Sequence, residues 1–232
     1  MKLMGRHLTV GLIYDRSLWL FPALIGTIIP FSWQLVNLYG TLPAILIILG
    51  IFQLLIVSLA AVLYPFLLLF QLSFITAYYL AALVVALAFV SWMSVNTVIN
   101  CRAGFNLIKL QFSTRTALML MGLLLSNCCM SLPVSSQTTF WDIHLKPHLA
   151  GRLQTKSWEE IIAAIRHDYQ QVQNLLPHAV LFGCSPGSFK GLWRAAGLPE
   201  NQLLIMETII PQEHARVFRV DRPFYFYVIF NS

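Results

Sequence analysis

From Ser17 to Cys101 the chain carries no Asp, Glu, Lys, Arg or His. Eighty-five consecutive residues without an ionisable side chain cannot supply the polar surface that a water-soluble domain needs every few positions. A lipid bilayer tolerates such a run, because about 20 apolar residues carry one helix across its hydrocarbon core. In that solvent only helices and closed barrels satisfy their own backbone hydrogen bonds. The run reads as a set of membrane helices, and the lipid bilayer as the first partner of this chain.

Charge divides the remainder. Charged residues make up 10% of the chain, against roughly 25% in soluble proteins. The first 134 residues hold six basic residues (Lys2, Arg6, Arg16, Arg102, Lys109, Arg115) and one acid, Asp15, whereas the last 98 hold nine basic and eight acidic residues. That partition predicts an α-helical membrane domain over residues 1–134 and a small α/β extramembrane domain over residues 135–232. The net charge of +6 then belongs to the membrane half, where Lys and Arg set topology and meet lipid headgroups. No Lys/Arg stripe interleaved with aromatic residues appears, which argues against nucleic acid as a partner.

Four hydrophobic spans are predicted. The first covers Leu18 to Val36 and is interrupted by Pro22, Gly26 and Pro30. The second covers Leu42 to Leu63 and the third Phe66 to Trp92, separated at Tyr64-Pro65 because the residue before proline is pushed out of the helical region. The fourth, Ala117 to Val134, follows Arg102, Lys109 and Arg115, and its far flank is uncharged up to Asp142. Under the positive-inside rule that helix runs outward and carries residues 135–232 to the non-cytoplasmic face of a bacterial inner membrane. Lys2, Arg6 and Arg16 also favour the cytoplasm, which three intervening spans would forbid. A re-entrant first segment or an additional short helix would each resolve the conflict. No small-residue cleavage site follows Arg16, so Met1 to Arg16 reads as a retained segment, not a removed signal. Gln34, Asn37, Gln53, Gln71, Thr76, Asn96 and Asn100 are the polar residues of the run, and helix–helix hydrogen bonds are their expected use. No intramembrane charge offers an ion or proton pathway.

In the second half, Ser157-Trp158-Glu159-Glu160 has the capping-box form. Ile161, Ile165, Tyr169, Val172 and Leu176 then recur at helical spacing up to Pro177. Phe140 to Ile143, Ala179 to Phe182, Leu203 to Met206 and Phe224 to Phe230 read as strands. Cys184 follows one of them in Gly183-Cys184-Ser185-Pro186-Gly187, where α/β folds present functional groups. His144, His148, His167, His178 and His214 are available as a base, and an inert thiol in a glycine-rich turn is the plainer alternative. The same five residues match a serine nucleophile elbow, but Pro186 removes the N–H that would complete an oxyanion hole. Cys101, Cys128, Cys129 and Cys184 show no metal-ligand spacing. Gly187 to Lys190 lacks the phosphate-loop pattern. Neither a metal nor a cofactor is expected.

Spans followed by a strand, a helix and a strand ending in a turn resemble the start of the membrane-anchored nitrilase-fold proteins. These comprise the apolipoprotein N-acyltransferases and relatives in conjugation systems. Leu203-Leu204-Ile205-Met206-Glu207-Thr208-Ile209-Ile210-Pro211 resembles their strand ending in the catalytic glutamate, and the resemblance implies that role for Glu207. The family's proline before the glutamate is Met206 here, and its catalytic lysine and cysteine would fall beyond residue 232. The resemblance therefore implies a truncated or degenerate acyltransferase or amidase, with Glu207 and Cys184 as candidate catalytic residues. The reading set against it is a non-catalytic membrane component, in an envelope or conjugation-type assembly with membrane or envelope protein partners.

Overall fold

The computed structural model describes residues 22–29, 32, 41–126, 138–146, 156–186, 190–208 and 224–231. Helix α1 spans Thr41–Leu68 and α2 spans Phe74–Ala103. Among the described residues these two are long and apolar enough to cross a membrane. They contact each other along an alanine seam, Ala60 against Ala77 and Ala81, where the absence of larger side chains lets the backbones approach. The outer faces remain apolar: Leu42, Leu54 and Val62 of α1 and Ile75, Leu83 and Val90 of α2 are all exposed. Tyr78 donates to the Gln53 carboxamide at 3.1 Å, a helix–helix bond of the expected kind.

The break between the helices is not at Tyr64-Pro65. Helix α1 runs through Pro65 to Leu68, and the chain turns over Leu69–Ser73, with Gln71 at φ 59°. Proline removes one backbone hydrogen bond, a smaller loss than opening several backbone groups in an apolar surround. Ser73 makes the new start, its hydroxyl accepting from Thr76 N–H at 3.3 Å. Of the first expected span, residues 22–29 are helical, and most of the remainder lies outside the described residues.

A five-stranded sheet follows, in the order β1-β2-β3-β5-β4. The strands are β1 Ile108–Ser113, β2 Thr139–Leu145, β3 Ala179–Pro186, β4 Leu203–Glu207 and β5 Phe224–Phe230. Only β2 and β3 are parallel. Their crossover contains α4, Trp158–Leu175, whose start carries the full capping box between Ser157 and Glu160. The hydrophobic face of α4 (Ile161, Ile165, Tyr169, Val172) joins Trp141, Leu181, Tyr227 and Ile229 in the main core. A short helix α5, Lys190–Ala195, adds Leu192 and Trp193 to that core.

The opposite sheet face is covered by α3, Arg115–Ser126. Leu118, Met121 and Leu125 are fully buried against Phe140, Val180, Phe182, Phe226 and Val228. This corrects the fourth span. The chain leaves the sheet at Ser113 and re-enters beside it, because Ser113 is the register partner of Phe140. A segment that starts and ends at one place cannot make a single crossing, so the expected fourth crossing is not made. Among the described residues two helices are candidate spans where four were expected. The described part of the apolar run that suggested a fourth span, up to Ser126, is a helix shared between a sheet face and its surroundings. The sheet also begins at Ile108, so the α/β layer draws on residues on both sides of position 135.

Candidate functional site

The junction between helix α2 and strand β1 is built by side chains that satisfy a sheet edge. An edge strand exposes a row of unpaired N–H and C=O groups. Here Trp92, Asn96 and Asn100, spaced by four and so on one face of α2, take up those of β1. The Trp92 indole N–H donates to Phe112 O at 2.8 Å. Asn96 Oδ1 accepts from Phe112 N–H at 2.6 Å. Asn100 accepts from Leu110 N–H at 2.9 Å and donates to Leu110 O at 2.7 Å. The strand's start is held by Asp168 of α4, fully buried, which accepts from the N–H groups of Asn106, Leu107 and Ile108 at 2.6 to 3.0 Å. The other end is tied by Ser113 Oγ donating to Gly26 O, and by Thr27 and Thr114 hydroxyls 2.8 Å apart. The asparagines, expected to join helices, join a helix to a strand.

Beyond the cover of α3, the same sheet face turns polar. Register and alternation put Lys109 and Gln111 of β1, Asp142 and His144 of β2, and Cys184 of β3 on it. Asp142 is 1% exposed. Its Oδ2 lies 2.9 Å from His144 Nε2, an ion-pair distance, although neither atom has a well-aligned hydrogen bond. Burial, the largest influence, pushes the His144 pKa down. Asp142 pushes it up by charge and contact, Lys109 opposes weakly, and the net direction is upward. Gln111 Oε1 is buried without a hydrogen-bond partner.

Cys184 lies in this setting as a poor nucleophile. Strand β3 continues past it to Pro186, so the thiol and Ser185 sit within a strand and not on an exposed turn. Burial and then the Asp142 carboxylate push the Cys184 pKa up, which favours the thiol over the reactive thiolate. Gly183 beside it has a packing reason: an added Cβ would stand 2.8 Å from Ile143 O and 2.9 Å from the Tyr227 hydroxyl.

Glu207 is elsewhere. It is exposed at the end of β4, the register partner of Tyr225. Its neighbour Met206 shares the Cys184 face, so Glu207 points to the opposite side of the sheet. The two sequence-predicted catalytic residues are thus not brought together, and β5 separates their strands. Among the described residues, no group of three His, Cys, Asp or Glu side chains is placed to hold a metal ion.

A groove of about 480 Å3 runs between α2 and β1. Trp92 and Met93 line one end, Thr97 and Gln111 its middle, and Lys109 and Lys146 the other end. Lys146 is anchored there by donating to Phe105 O. Comparison with family models, curated proteins and solved structures returned no match to this chain.

Proposed function

We propose that this chain is a multi-pass membrane protein of the bacterial inner membrane that serves as a non-catalytic component of an envelope or conjugation-type assembly. The observation that carries this reading is the separation of Cys184 and Glu207 onto opposite sheet faces, with the thiol held neutral. Strand β4 supports a protein partner: it ends the sheet, and no described strand pairs with its outer edge, so a partner strand could extend the ladder. The α1–α2 hairpin would cross the bilayer twice, with the sheet beyond Trp92 at the membrane surface.

Sidedness follows from charge. Arg102, Lys109, Arg115 and Lys146 all belong to the sheet end of the hairpin, whereas the turn over Leu69–Ser73 is uncharged. The positive-inside rule then favours the sheet in the cytoplasm. That is opposite to the side expected from sequence, which required a crossing between residues 117 and 134.

Photo-cross-linking from Leu204, exposed on β4, tests the reading in native membranes. A discrete heterologous product is expected, and a chain that never cross-links would contradict it. Cys184→Ala and Glu207→Gln are expected to leave the phenotype of the intact gene unchanged. The strand-helix-strand order over residues 139–186 favours a second reading, a degenerate acyltransferase or amidase of the nitrilase type. Loss of function in either variant would favour it over the first.

A further inference from the structure

We infer that the groove between α2 and β1 is a binding site for one anionic phospholipid of the surrounding leaflet. The inference rests on the proposed membrane location. Its walls are fixed, because the Trp92, Asn96 and Asn100 bonds clamp strand to helix along the whole groove. Its two ends differ in chemistry. At the end away from the hairpin turn stand Lys109, exposed and without a carboxylate partner among the described residues, and Lys146. The Asp142 carboxylate nearby is already matched by His144. At the other end the groove reaches Met93, and the same helix stripe continues through Val90 and Phe89, 59% and 37% exposed, into the proposed bilayer.

An anionic head at the lysines and an acyl chain along Met93, Val90 and Phe89 fit that gradient. Gln111 Oε1, buried and unpartnered, supplies an acceptor between the two for a glycerol or headgroup hydroxyl. Volume separates a lipid from a bare anion. Sites for organic ligands span roughly 300–1,000 Å3, and about 480 Å3 is far more room than a phosphate alone would fill.

The full chain in a neutral detergent can be titrated with dioctanoylphosphatidylglycerol, dioctanoylphosphatidylcholine and inorganic phosphate, with bound species counted by native mass spectrometry. One phosphatidylglycerol is expected to be retained, at least ten-fold more tightly than phosphatidylcholine, with no comparable retention of phosphate. Lys109→Ala should weaken the phosphatidylglycerol complex roughly five-fold, the scale of one lysine near an anionic lipid. Lys109→Glu should weaken it further, while Arg102→Ala, outside the groove, should not. Lys109 makes no hydrogen bond that the fold depends on, so these variants are expected to melt like the parent, and Lys146→Arg adds a charge-preserving check at the anchored lysine. Equal retention of the two lipids, insensitivity to Lys109→Glu, or phosphate binding as tight as the lipid would overturn the inference. The membrane reading fails separately, if the chain proves soluble without detergent.

Discussion

Asp168 shows at the residue scale how much one side chain can hold. Three consecutive amides, of Asn106, Leu107 and Ile108, converge on its carboxylate inside the core. Each buried donor left without a partner costs about 1–3 kcal/mol. Asp168→Ala is therefore expected to destabilise the protein by about 3–5 kcal/mol, and Asp168→Asn by less, because one carbonyl oxygen can still accept. Denaturant melts of the purified chain compare the two, and equal, small losses would show that the amides find water instead. His144 gives a pH dependence of definite sign. Its pKa in the fold lies above the ordinary 6.5 because Asp142 outweighs burial. A raised basic pKa contributes stability that is full below 6.5 and is lost as pH rises through the folded value. Because the His144 side chain is 30% exposed, solvent screening keeps the effect small. The stability of the parent should fall from pH 6 towards pH 8 relative to His144→Gln, in which that slope should vanish.

The elements differ in how plainly their residues announce them. Helix α4 was legible in full, since its capping box, apolar stripe and stop at Pro177 are all local signals. Strands β2, β4 and β5 were legible as short apolar or aromatic runs, within a residue or two at each end. Strand β1 was not, although Ile108, Leu110 and Phe112 alternate with Lys109 and Gln111, the period-two pattern of a half-buried strand; the run is short and its partners come from distant segments. The four-residue spacing of Trp92, Asn96 and Asn100 marks a polar face on α2, but only the fold reveals that a strand edge lies against it. Helix α3 misled for a related reason: apolar on nearly every side, it has the composition of a span, yet its described residues pack one face on the sheet. As for the candidate site, Cys184 was expected in a turn after Phe182, whereas the strand runs on through it to Pro186, and Asp142, the charge that it feels most, carries no local signature. The clamp yields its own expectation. Asn96→Ala and Asn100→Ala should each cost about 1–3 kcal/mol and should speed hydrogen exchange at Phe112 and Leu110 respectively. Unchanged exchange at both amides would mean that the edge of β1 is protected by something other than α2.

For the whole molecule, the proposed arrangement is a two-helix membrane hairpin joined rigidly to a sheet that sits on the side where α2 ends. The rigidity comes from helix side chains bonded to strand backbone, and the single-sidedness from the return of the chain between Ser113 and Phe140. In that proposed arrangement the basic residues of the junction, the groove beside β1 and the open edge of β4 at the opposite end of the sheet would all face the cytoplasm. The most direct test is thiol accessibility in intact cells, with single cysteines placed at Gln71, Gly104 and Lys156 in a chain freed of its four native cysteines. A membrane-impermeant reagent should label position 71 from outside and reach positions 104 and 156 only after the membrane is opened. Labelling of 104 and 156 from opposite sides would restore a crossing between them and contradict the account.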